Sequence, residues 1–165
     1  MDKTHDRFDH HLPYEIDMLI RTYAYLRSVK PDTDQLFINV FIESFSIHAR
    51  ALMEFFEKDG RKFTTPSYQP PQRDATFKRF WEALNKQIAH LDPDGRFVDP
   101  KDKINELMLL ELNNWLSDQL DVFRTHLRPE YATPALLHIP KVVQVGPATS
   151  TATNAILKTT FGNDS

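Results

Sequence analysis

Residues 33–57, TDQLFINVFIESFSIHARALMEFFE, constrain the fold more than any other stretch. Phe37, Phe41, Phe45, His48, Leu52 and Phe55 recur at helical spacing, and Leu36, Val40 and Ile47 widen that stripe. A helix apolar around so much of its circumference is expected to sit centrally, covered by other elements. Asp32, with Gln35 three residues on, is the expected N-cap, a variant of the capping box. Gly60 is the expected residue just past the helix end.

The flanking segments read as helices too. A first helix over about 13–29 has Pro13 in its first turn and Glu15 and Asp17 near the positive end of its dipole. Its stripe is Leu12, Ile16, Leu19, Tyr23 and Leu26. Residues 61–72 read as a loop. A third helix over about 73–91 presents Phe77, Phe80, Trp81, Leu84, Ile88 and Leu91, and the DPDG turn breaks it. A fourth runs from an Asp99 cap, with Pro100 behind it, to about Arg128. It is expected to bury Ile104, Leu107, Met108, Leu112, Trp115, Leu116, Leu120 and Phe123. Only four glycines occur, and the prolines fall between the periodic segments, which suits long helices joined by loops.

The expected fold is therefore all-α: an antiparallel four-helix bundle over residues 1–130 with an irregular C-terminal arm over 131–165. That arm, rich in Thr, Ala and Pro with no sustained period, reads as extended or partly disordered. Its KVVQV segment is a candidate either to pair as a short strand or to dock on the bundle.

At 165 residues one domain is the natural expectation, and the chain can bury a real core. Cysteine is absent, which removes disulfides, thiolate metal sites and cysteine nucleophiles. The polar start MDKTHDRFDHH lacks the apolar region of a secretory signal, and no spanning helix is expected. These readings point to the cytoplasm and away from a membrane. The net charge of −3 gives no global attraction to nucleic acid. Residues 50–90, however, hold eight Lys or Arg against five Asp or Glu, a local net of +3. That is either a modest basic face or ordinary solvated helix surface.

Three histidine settings carry candidate chemistry. His48, on an aromatic stripe, is either a core residue with satisfied ring nitrogens or a ligand or acid–base group. Glu43 and Ser44 precede it, but Glu43 lies five residues away and on a different face, so a Glu-x-x-His metal pair is lacking. His5, His10 and His11 offer only adventitious metal binding, and neither a metal nor another cofactor is expected. His90 lies off the Leu84/Ile88 stripe, on the polar side with Arg79, Ala83 and Lys86. Near a helix C-terminus its imidazolium is favoured, so it reads as a capping residue or as a general acid–base group. Gly-rich phosphate loops and nucleophile elbows are absent from the sequence.

Three segments, HLPYEIDMLIRTYAYL, FIESFSIHARALMEFF and ALNKQIAHLD, together resemble a group of bacterial helical proteins related to the HEPN superfamily (higher eukaryote and prokaryote nucleotide-binding). The resemblance spans roughly residues 12–125. It implies a domain that binds RNA or a nucleotide and acts as a homodimer. Active members cleave RNA without metal, using an Arg-x4–6-His motif across the dimer. Histidine moves protons at the 2′-hydroxyl and the leaving oxygen, and arginine stabilises the charged transition state. Carried over, the histidine is His90. The arginine belongs at 83–85, where this chain has Ala83, Leu84 and Asn85. Asn85 can hydrogen-bond a phosphate oxygen but brings no charge. Arg50, Arg79 and Lys86 are the candidate phosphate contacts. The missing arginine points away from cleavage. The competing expectation is a non-enzymatic helical module that self-associates or binds a protein partner, with His48 and His90 tying helices together.

Overall fold

The computed structural model describes residues 7–88 and 104–137. These residues are all-α, with five α-helices, short π and 3-10 turns, and one isolated antiparallel bridge between Thr64 and Leu127. The helices are α1 (Leu12–Ser28), α2 (Gln35–Glu54), α3 (Ala75–Ile88), α4 (Glu106–His126) and the single turn α5 (Pro134–Leu137).

α1 forms where its stripe predicts. Leu12, Ile16, Leu19, Tyr23 and Leu26 are all buried, and Pro13 sits in the first turn. A π turn over Arg7–His11 precedes it and buries Phe8, a core residue outside the expected helix. α2 starts later than expected. Asp34, not Asp32, caps it, accepting a bond from the Leu36 N–H at 2.8 Å. Its C-terminus runs on as a π turn, Phe55–Asp59, into a 3-10 turn, Gly60–Lys62. Gly60 has φ −51° and ψ −39°, right-handed values that any residue adopts. Its need for glycine lies elsewhere: a Cβ there would meet the Tyr68 hydroxyl at 3.1 Å.

α2 packs against α1, α3 and α4, so it is central in contact. It is not covered all round. Ile38, Ile42, Phe45, Ala49, Leu52 and Met53 face the core, whereas Leu36, Phe37, Val40 and Ile47 are exposed. Of the expected stripe, Phe45, His48 and Leu52 are buried, Phe41 and Phe55 are half-buried, and Phe37 is exposed while its neighbour Ile38 lies inward. By length and composition alone Gln35–Lys62 could cross a membrane, which the sequence reading did not anticipate.

The loop before α3 is anchored by the Thr65 N–H to His126 carbonyl bond at 2.8 Å and the Arg128 N–H to Phe63 carbonyl bond at 3.1 Å. Phe8, Phe55, Phe56, Phe63, Tyr68 and Phe123 build an aromatic cluster there, with ring centroids 4.8–6.2 Å apart in the contacting pairs. α4 also starts later than expected. Asp99 and Pro100 lie outside the described residues, Ile104 and Asn105 are not helical, and the Asn105 side chain caps the helix through Met108 N–H at 2.9 Å. Leu107, expected in the core, is exposed, while Leu109 and Leu110 are buried.

Where the expected bundle gives way to the expected arm, Pro129–Tyr131 form a 3-10 turn, and within the arm Pro134–Leu137 form α5. Leu136 is buried, and the Thr133 hydroxyl donates to the Phe8 carbonyl at 2.9 Å. KVVQV lies outside the described residues.

Candidate functional site

A cleft of about 540 Å³ opens between α3 and the start of α4. α3 reaches it with a stripe spaced by fours and threes: Ala75, Arg79, Glu82 and Lys86. That spacing keeps side chains on one helix face. Lys78 joins them, and Asn105, Leu107, Met108 and Glu111 form the α4 wall. Three cations therefore face two carboxylates. Arg79 donates to Glu111 Oε2 at 2.6 Å across the cleft, and its guanidinium lies 4.8 Å from the Phe80 ring centroid. Among the described residues no carboxylate pairs with Lys78. The first turn of α4 also borders the cleft, where Asn105 caps it by accepting from the Met108 N–H at 2.9 Å.

The expected phosphate contacts separate into two places. Arg79 and Lys86 share the cleft. Arg50 does not: its guanidinium lies over the Trp81 ring at 5.3 Å. Trp81 and Arg79 are two residues apart, roughly 200° around the helix, so Arg50 stands on the opposite flank of α3. Arg73 lies 5.8 Å from the same ring and forms a two-pronged pair with Glu57, whose second bond is 3.1 Å. The Arg73 guanidinium holds the Glu57 carboxyl below the usual carboxylate range through those hydrogen bonds.

Asn85 is absent from the cleft lining. It is half-buried, and its Oδ1 has no hydrogen-bond partner among the described residues. Ala83, read as part of the polar side, is buried. His90 lies outside the described residues.

His48 is buried, and its partner is neither Glu43 nor Ser44. Its Nδ1–H donates to Glu15 Oε2 at 2.7 Å, joining α2 to α1, and the Tyr14 ring meets it edge-on at 5.6 Å. Glu43 is exposed and Ser44 half-buried on α2. Among the described residues no group of three or more His, Asp or Glu could hold a metal ion.

Sequence reasoning missed Lys78, Glu111 and Glu15. Lys78 was within reach, since it neighbours Arg79 on a helix already identified. Glu111 and Glu15 become partners only through helix packing, for which the sequence carries no local signal.

No family model matches this chain, and neither a curated protein nor a solved structure shows detectable similarity to it.

Proposed function

We propose that the chain is a HEPN-like helical domain that binds the phosphates of RNA or of a nucleotide in the α3–α4 cleft. The observation that carries the reading is the lining, where Lys78, Arg79 and Lys86 converge on a space of about 540 Å³ beside the start of a long helix. Lys78 and Lys86 act as point charges. Arg79 is already oriented by Glu111 and offers its remaining N–H donors to a second anion.

The proposed role is binding without cleavage. A transition state with extra negative charge needs a cation beside the acid–base group. Positions 83–85 supply none. The proposed arrangement of α1 to α4 is an antiparallel four-helix bundle. It is supported by the Arg27–Glu106 bond of 2.7 Å, which ties the last turn of α1 to the first turn of α4.

The test is fluorescence anisotropy with labelled single-stranded RNA at about 50 mM salt, where phosphate contacts are strong. Wild type should bind, and Lys78→Glu combined with Lys86→Glu should weaken binding by about tenfold or more. A wild-type protein that leaves the RNA free at that salt removes the reading.

A further inference from the structure

One side chain in the α3–α4 cleft is not explained by phosphate. Glu82 stands on the lining stripe of α3 between Arg79 and Lys86, with Lys78 one turn before it. Three cations surround it, yet among the described residues none pairs with it. Arg79 is taken by Glu111. Lys86 has another partner. Lys78 precedes Glu82 by four residues, the weaker order for an ion pair along a helix. A bare carboxylate repels phosphate, so it opposes binding unless the ligand brings hydrogen-bond donors to it. On the α4 wall across the cleft, Leu107 is 62% exposed and Met108 is half-buried, an apolar surface open to a ligand. A ligand that fits carries phosphate, a flat apolar face and donors along one edge. A nucleobase has the last two.

We infer that Glu82 reads a base of a bound RNA strand and selects guanine. The inference rests on the phosphate-binding reading of the cleft and names its ligand. A carboxylate only accepts hydrogen bonds, through two oxygens side by side. Guanine alone among the RNA bases sets two donors side by side on its Watson–Crick edge, the N1–H and the 2-amino group. Adenine and cytosine set one donor beside an acceptor, and uracil sets one N–H between two carbonyl oxygens. Each of those three turns a lone pair towards a carboxylate oxygen, which opposes binding. Splayed bases of single-stranded RNA are read on this edge. Lys78 and Lys86 lie about 12 Å apart along the helix axis, with Glu82 midway. A cation therefore stands on either side of the base-reading group, which suits the two phosphates that flank one base in a strand. A mononucleotide has phosphate on one side only.

Fluorescence anisotropy at about 50 mM salt tests this with short labelled uridine strands that carry one central guanosine, inosine, adenosine or cytidine. The guanosine strand should bind about tenfold more tightly than the adenosine, cytidine and all-uridine strands. Inosine, which lacks the 2-amino group, should lose most of that gain. Glu82→Gln presents one donor beside one acceptor. It should abolish the guanosine preference and favour adenosine or cytidine by about threefold. Glu82 is exposed, and an unchanged circular dichroism spectrum verifies that the variant folds. Guanosine 5′-monophosphate should displace the labelled strand at least about tenfold more weakly than an unlabelled guanosine strand does. Strands bound alike by wild type, or a Glu82→Gln variant that keeps the guanosine preference, overturn the inference and leave the phosphate reading standing. Failure to bind any strand removes both. Equal displacement by the mononucleotide overturns the assignment to a strand.

Discussion

His48 on α2 and Glu15 on α1 are joined by a 2.7 Å hydrogen bond, with the imidazole side chain 9% exposed and the carboxylate 32% exposed. This pair spans two helices that pack extensively against each other. It gives His48 a structural role. His48→Ala should lower stability by about 1–3 kcal/mol in urea denaturation, since it removes a buried ring and leaves Glu15 without its donor. Glu15→Gln keeps an acceptor and should cost less. An unchanged midpoint for His48→Ala would show that the bond carries no weight in folding.

Gly60 and Tyr68 should be energetically coupled. Gly60 has helical dihedrals, where alanine is ordinarily favoured by up to about 1 kcal/mol. An added Cβ lies 3.1 Å from the Tyr68 hydroxyl, on a side chain fixed in the core. Gly60→Ala should therefore be less favourable in wild type than in Tyr68→Phe, by about 0.5 kcal/mol or more across the double-mutant cycle. Additive effects would place the reason for Gly60 elsewhere.

Tyr68 also sets an alkaline limit. Burial pushes its hydroxyl up to about 12, from 10.0 in a free side chain. The folded state thus holds the proton more tightly than the unfolded chain. Its contribution is complete below pH 10 and is lost as pH rises from there towards 12, by up to about 3 kcal/mol. Equilibrium unfolding across pH 9–12 (about that span suffices) should show this loss, and Tyr68→Phe should flatten it. Parallel curves for the two proteins would assign the alkaline loss to other groups.

Asn113 is fully buried on α4, and among the described residues neither of its amide atoms has a hydrogen-bond partner. An orphaned buried amide costs stability that an apolar side chain of similar shape recovers. Asn113→Leu should raise the unfolding free energy by about 1–2 kcal/mol. A clear loss instead would mean that a bound water satisfies the amide in solution.

How much of this was legible depended on the kind of interaction. The apolar periods of α1 and α3 are clean, and Ile16, Leu19, Phe77, Phe80 and Leu84 are buried where their spacing places them. α2 was harder because its apolar residues occupy two seams, and nothing local tells Phe37 from Ile38. The start of α4 was missed because Asp99–Pro100 and Asn105 are both plausible caps, and the buried Ile104 sits in the non-helical approach to the second. The cleft was half visible: Arg79 and Lys86 share a face by spacing alone. Glu111 and the separation of Arg50 behind Trp81 arise from helix packing.

The central claim is that phosphate is held by the α3–α4 cleft. The most direct measurement is the slope of the logarithm of RNA affinity against the logarithm of salt concentration, for wild type, Lys78→Ala, Lys86→Ala and Arg50→Ala. Each cleft lysine should reduce the slope by about one contact, while Arg50→Ala leaves it unchanged. Equal slopes for wild type and both lysine variants, or a loss confined to Arg50→Ala, would contradict the account.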